Sequence, residues 1–258
     1  LSRSEKKASP GWDDWVFPLI LIAAFTYLSR FQSPAAVGPR IWVQKAHSLM
    51  SERKYQEALK FSDDLLVHFP NNHVYLEQAA TIEHSLGHSS EEAKMLERFI
   101  KVAPDPSEAC PSIIHAYQDA KEPVRMLDAA RRCAEMEPNN SDFQLELGLA
   151  LERTGDLGQA LSTFAKGQLE FPDYTDFAIG QARVLLHAGR GDEAWQQIQE
   201  ILAGHPDNAD AELVGGLAAM RMNDWAAAKQ ILARGVREHP NYNELREALK
   251  VATDHGAP

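Results

Sequence analysis

The side chains in this chain best suited to chemistry are two cysteines, Cys110 and Cys133, and ten histidines. His84 and His88 stand four apart, the spacing that puts two imidazoles on one helical face. Gly87 lies between them at an expected helix end, so a shared metal is not expected. The remaining histidines are scattered. The sequence has no phosphate-binding glycine loop, no paired-histidine metal motif and no nucleophile elbow. Two cysteines are too few for a zinc cluster or a disulfide-dense fold. The expectation is a protein that is not an enzyme, with no catalytic residue, no metal, no cofactor and no small-molecule substrate. The cysteine pair remains as a candidate disulfide.

The elements that would position these residues follow from a ladder of prolines. Pro70, Pro104, Pro138, Pro172, Pro206 and Pro240 recur every 34 residues. A fixed period over most of a chain means one supersecondary unit, copied and stacked. Each proline precedes Asn or Asp, as in Asn71-Asn72, Asp105, Asn139-Asn140, Asp173, Asp207-Asn208 and Asn241. Proline stops a helix and Asn/Asp turns the chain. Other columns share the period. Arg53, Gly87, Lys121, Gly155, Gly189 and Asn223 form one, where a first helix must end in a left-handed residue. Ala46, Ala80, Ile114, Gly148, Ala182 and Gly216 form a second; Ala58, Glu92, Met126, Ala160, Ala194 and Ala228 form a third. These two are mostly small because two helices cross there at short distance. Apolar residues recur between the columns at helical spacing, as in Leu157, Leu161 and Phe164. The unit is helix, tight turn, helix, tight turn.

The pattern resembles the tetratricopeptide repeat. The fourth copy carries it most clearly, in Phe143, Leu147-Gly148, Leu151, Gly155-Asp156, Ala160-Leu161, Phe164 and Pro172; the first carries Trp42, Ala46, Tyr55, Ala58 and Pro70. The resemblance implies an all-α fold, a right-handed α-solenoid of about six helix-turn-helix repeats over residues 39–241. Residues 242–258 supply a C-terminal capping helix and tail. The third copy departs, with Ile114 and Met126 in the small columns and Pro111 and Pro123 added, so its first helix is expected to be shifted or shortened. Cys110 stands near the start of that copy's first helix and Cys133 near the end of its second, neighbouring ends in an antiparallel pair. They are either two small buried hydrophobes or a disulfide. A disulfide would close a loop of about 24 residues, stabilise by about 3 kcal/mol and place the repeats in an oxidising compartment.

In that family the first helices line a concave groove that holds partner peptides. Here the corresponding columns of the last three copies supply Leu145, Leu149, Ile179, Leu186, Leu213, Leu217 and Met220, with Arg183 and Arg221 nearby. They read as a groove that binds a protein segment by burial, or in part as core. An acidic column, Glu108, Asp142, Asp176 and Asp210, follows Ser107, Ser141, Thr175 and Ala209 at the helix starts. It reads as helix capping, with attraction of a basic partner as the alternative. The family's clamp for C-terminal carboxylates needs Lys, Asn and Arg. Val43, His47, Gln78, Glu108 and Ser112 stand there instead, so that ligand is not expected.

The chain has 258 residues, 44% of them hydrophobic, and a formal net charge of −11. An acidic balance argues against a nucleic-acid partner, which needs a basic face. The chain opens on Leu1, so its natural N-terminus is expected upstream. After a polar tail at 1–14, residues 15–31 run from Trp15 to Phe31, about 25 Å of helix, with Pro18 in the first turn and Trp12, Trp15, Tyr27 and Phe31 as an aromatic belt. Ser33-Pro34-Ala35-Ala36 is a poor cleavage site, which favours a retained single transmembrane helix over a signal peptide. Residues 32–38 are a linker. Basic residues flank the span evenly, Arg3, Lys6 and Lys7 against Arg30, Arg40 and Lys45. The short basic tail favours a bacterial inner membrane with repeats in the periplasm, the alternative being cytoplasmic repeats. The expectation is a membrane-anchored scaffold for a peptide segment or membrane subunit. A permanent accessory subunit is the alternative.

Overall fold

The computed structural model describes residues 38–255. They form thirteen α-helices: α1 (Pro39–Ser51), α2 (Tyr55–His68), α3 (His73–Leu86), α4 (Ser89–Ile100), α5 (Cys110–Asp119), α6 (Pro123–Met136), α7 (Ser141–Arg153), α8 (Leu157–Glu170), α9 (Asp176–His187), α10 (Gly191–Gly204), α11 (Ala209–Arg221), α12 (Trp225–Glu238) and α13 (Asn243–His255). The expected span at residues 15–31 lies outside the described residues. Among the described residues no helix is long and apolar enough to cross a membrane. The described residues divide into two compact units, 38–112 and 113–255.

Every first helix ends in the same way. Arg53, Gly87, Lys121, Gly155, Gly189 and Asn223 all have φ between 57° and 82°. The residue after each one donates its N–H to the carbonyl five positions back, at 2.8 to 3.0 Å: Lys54 to Leu49, His88 to Glu83, Glu122 to Tyr117, Asp156 to Leu151, Arg190 to Leu185 and Asp224 to Ala219. This bond satisfies a carbonyl that the last turn would otherwise leave open and reverses the chain into the second helix. Arg53 and Lys121 adopt the left-handed conformation although their Cβ atoms oppose it.

Second helices end at the ladder prolines. Phe69, Glu137, Phe171, His205 and His239 leave the helix with φ between −133° and −123°, the extended region forced on a residue before proline. The side chains of Asn72, Asn140 and Asn208 then cap α3, α7 and α11 by accepting from backbone N–H groups. Asp156 and Asp224 cap the second helices α8 and α12 in the same way. The aspartates of the acidic column lie inside the first turn, where the helix dipole favours them.

In residues 38–112, Leu49, Ala58 and Ile82 are buried among Met50, Tyr55, Leu59, Phe61 and Leu86. Glu92 stands in a small column, yet it is buried, because its carboxylate lies 3.1 Å from His84 Nδ1. His88 Nδ1 meets Glu83 at 2.8 Å across the Gly87 turn. The two histidines thus answer two different buried carboxylates. A 3-10 turn at Pro106–Ala109 precedes α5, whose 10 residues make it the short first helix the extra prolines imply.

In residues 113–255 the crossings are tight. A Cβ built on Gly180 would lie 2.7 Å from the ring of Phe164, and one on Gly148 would lie closer still to the same ring. Gly216 meets Leu232 and Gly167 meets Phe177 with equally little room. In the third copy Ile114 and Met126 occupy the small columns and are buried. The terminal helix α13 buries Leu245, Ala248 and Ala252 in a cluster with Ala219, Ala228 and Leu232, covering the last core face. Cys110 and Cys133 are both disulfide-bonded; neither is free.

Because Arg53 and Lys121 are exposed and left-handed, Arg53→Gly and Lys121→Gly should each raise stability by about 0.5–1 kcal/mol, the relief of Cβ strain less the entropy of glycine. Urea denaturation reads this directly. A loss at either site would show that the side chain compensates for its backbone.

Candidate partner-binding face

Within α7, positions 142, 145, 149 and 152 or 153 follow the three-and-four spacing that shares one helical face. The same spacing picks out 176, 179, 183, 186 and 187 in α9, and 210, 213, 217, 220 and 221 in α11. Leu145 and Leu149 are half-buried and pack on the cluster around Phe164 and Phe177. Leu213, Leu217 and Met220 are half-buried on the cluster around Leu232 and Leu245. The middle helix differs from the sequence expectation. Ile179 is 3% exposed and Leu186 5%, both inside the core with Ile198 and Val214. They cannot offer surface to a partner, so the apolar floor comes from α7 and α11.

Arg183 occupies the face between them. Its Nε lies 2.8 and 3.0 Å from the two carboxylate oxygens of Glu152, and its Nη2 lies 2.5 Å from Oε2. His187 Nδ1 lies 3.2 Å from the other oxygen. Glu152 is buried, so this pairing is what makes its charge tolerable. Burial works against the Arg183 charge, but the hydrogen bonds and charge of Glu152 outweigh it and hold the guanidinium above its usual pKa. The polar crossing ties α7 to α9 on the exposed side of the core.

The two borders of the face carry opposite charge. Asp142, Asp176 and Asp210 lie in the first turns of α7, α9 and α11. Arg153, His187 and Arg221 lie in their last turns and are exposed. Helix dipoles favour this arrangement, but the dipole is the same in the second helices of these copies, which lack it. Helix α8 has neither group, α10 only the acids and α12 only the base.

Two tyrosines that sequence reasoning passed over hold the acidic border. Tyr174 donates its hydroxyl to Asp142 at 2.8 Å and Tyr242 to Asp210 at 2.5 Å. The bond to Asp142, followed by burial, pushes the Tyr174 hydroxyl up to about 12. Burial and then Asp210 raise Tyr242. The signal was present, since both occupy the column of Asn140 and Asn208 two periods apart. Asn208 instead caps α11, so Asp176 receives no tyrosine. Burial, then the charges of Asp210 and Asp142, raise the pKa of Asp176.

Elsewhere, Glu212, Glu238 and His239 bring donor atoms within 4.8 Å of one another and are the described residues best placed to hold a cation. Glu212 is fully buried and accepts from Arg234 Nε at 2.6 Å, and His239 Nε2 lies 2.8 Å from the Asp207 carbonyl oxygen. The arginine already matches the buried charge. A cleft of about 620 Å³ borders α8 and α10; at its base Gln181 accepts from Gln197 at 2.7 Å.

Tetratricopeptide-repeat family models match residues 124–173, 145–209 and 185–250. Together these matches show that residues 124–250 are similar to tetratricopeptide repeats. The first helices of these repeats carry the face just described. No curated protein sequence matches the chain. Among solved structures, a tetratricopeptide repeat protein from Parabacteroides merdae ATCC 43184 is similar over 93% of this chain and 95% of its own, with TM-score 0.59 and 16% identity. PilW, a type IV pilus biogenesis factor, is similar over 81% of this chain and 97% of its own, with TM-score 0.58 and 19% identity. A repeat protein from Thermus thermophilus is similar over 70% of this chain and 99% of its own, with TM-score 0.56 and 19% identity. These likenesses establish a shared helical-repeat fold.

Asp176→Asn should stabilise the protein at pH 7, by a few tenths of a kcal/mol once solvent screening is allowed for. A carboxyl whose folded pKa is raised disfavours the folded state when ionised. The gain should therefore be full above the raised folded value and vanish below the unfolded value near 3.8. Thermal melts from pH 3 to pH 8 test this. Destabilisation at pH 7 would show that attraction to the α9 dipole dominates.

Proposed function

We propose that this chain is a tetratricopeptide-repeat adaptor that holds a segment of another protein on the exposed face of α7, α9 and α11. The observation that carries the reading is the aliphatic surface left half-exposed at Leu145, Leu149, Leu213, Leu217 and Met220. Two well-packed clusters lie beneath it, so these side chains remain at the surface after the core is complete. A partner segment would gain by covering them.

In this reading residues 15–31 anchor the repeats to a membrane and the adaptor serves assembly of a membrane or envelope complex. The repeats stand on the periplasmic side of a bacterial inner membrane. Bonded Cys110 and Cys133 support an oxidising compartment, where such a bridge persists. A permanent accessory subunit would instead make its contacts through the anchor and the second helices. Leu169 on α8 is 85% exposed and reports on that surface.

Photo-crosslinking amino acids placed in vivo at Leu149, Leu217 and Leu169 separate the two. The adaptor reading expects a common crosslinked partner from Leu149 and Leu217 and none from Leu169. Crosslinking from Leu169 alone would support the accessory subunit. The compartment is tested by acid-trapping cells and alkylating the denatured protein. No alkyl group should add before reduction and two should add after it; two before reduction would rule out an oxidising location.

A further inference from the structure

The groove has three chemically distinct zones, not one. Its floor is aliphatic at Leu149, Leu213 and Leu217. Its border at the helix starts is anionic at Asp142, Asp176 and Asp210, and its border at the helix ends is cationic at Arg153 and Arg221. The anionic side chains sense one another, since Asp210 and Asp142 both act on Asp176. Asp176 and Arg221 have no hydrogen bond or ion pair among the described residues. Arg153 is held by the neutral Gln118 and forms no salt bridge among the described residues, although its charge also acts on Glu146.

An extended peptide presents side chains in only two opposite directions. It can meet the floor, or it can meet the two borders, but not all three with successive side chains. A helix turns about 100° per residue and can point one stripe down and one charged row to each side. The dimensions agree. Eleven residues separate Asp142 from Arg153, about 17 Å at 1.5 Å per residue, and a helix with its side chains is about 10–12 Å across. Lysine, arginine and glutamate side chains bridge the remainder. Packed helices stand 8–10 Å apart, so crossing from α7 to α11 spans about 20 Å, or about 14 residues of a bound helix.

We infer that the segment bound on this face is an amphipathic helix with oppositely charged flanks. Its lysines or arginines lie beside Asp142, Asp176 and Asp210, its glutamates or aspartates beside Arg153 and Arg221, and its aliphatic stripe on Leu149, Leu213 and Leu217. This rests on the groove reading above and adds the chemistry and conformation of the occupant. The same polarity sets its direction. Turning the helix end for end while keeping its stripe down would place each flank against its own charge, so only one orientation is favourable.

The test uses the full chain in mild detergent and four labelled synthetic peptides of about 16 residues, followed by fluorescence anisotropy. All share one aliphatic stripe. One has lysine on one flank and glutamate on the other, one lysine on both, one glutamate on both, and one is the split-charge peptide with a central proline. The split-charge peptide should bind about tenfold more tightly than each of the others. Its advantage over the two single-charge peptides should shrink as salt rises from about 50 mM to about 500 mM. Asp176→Lys with Asp210→Lys should weaken the split peptide and favour the all-glutamate one. Asp176→Asn, a milder change, should weaken the split peptide in the same direction. Circular dichroism melts confirm that the variants are folded.

Equal binding of all four peptides, abolished by Leu149→Asp with Leu217→Asp, would overturn the inference and leave the groove reading standing. Binding that survives the leucine substitutions would overturn the groove reading itself. No binding by any peptide would overturn the inference.

Discussion

The close crossing of paired helices is the constraint on which the rest of this structure depends. The ring of Phe164 lies so near the backbone of Gly148 and Gly180 that neither position has room for a methyl group. Gly216 against Leu232 and Gly167 against Phe177 repeat the arrangement in neighbouring copies. Interiors are packed to crystal density, and an added carbon there has to displace something. The copies that lack a small residue satisfy the column in other ways. Glu92 stays buried through its contact with His84, and the third copy buries Ile114 and Met126 beside a shortened first helix.

Helix spacing in turn creates the surface proposed to hold a partner. First helices held at a regular interval present equivalent positions in rows. A row can therefore acquire a single chemical character, and three rows here have done so in the last three copies. The anionic row is steadied by Tyr174 and Tyr242, each reaching back one copy to an aspartate. The central row is interrupted by Arg183, whose guanidinium matches the buried charge of Glu152 and links α7 to α9. A buried ion pair of this kind is weak evidence for stability.

Much of the fold was legible in the linear order of residues. Proline removes a donor and restricts its predecessor, and a left-handed residue stops a helix; both are local effects, so the ladder and the glycine column placed helix ends within a residue or two, except that α4 ends at Ile100, four residues before Pro104. Even Arg53 and Lys121 followed their column, because the bond five residues back holds the turn in every copy. The caps were displaced from the serine-aspartate pairs to Asn140 and Asn208, because the first helical residue is the one after the asparagine. The candidate face was legible only as a set of columns. Ile179 and Leu186 fit the pattern as well as Leu145 and Leu149 do, yet they lie in the core.

The sequence alone thus determined the repeat, its period, its turns and the columns from which a face could be drawn, since each depends on interactions within a few residues or on strict repetition. Tertiary structure decided which members of those columns are surface, that Glu152 is answered by Arg183 and His187, and that two tyrosines hold the acidic border while Asp176 goes without. Exposure and charge pairing depend on which neighbours arrive from about 30 residues away, and no local pattern contains that information.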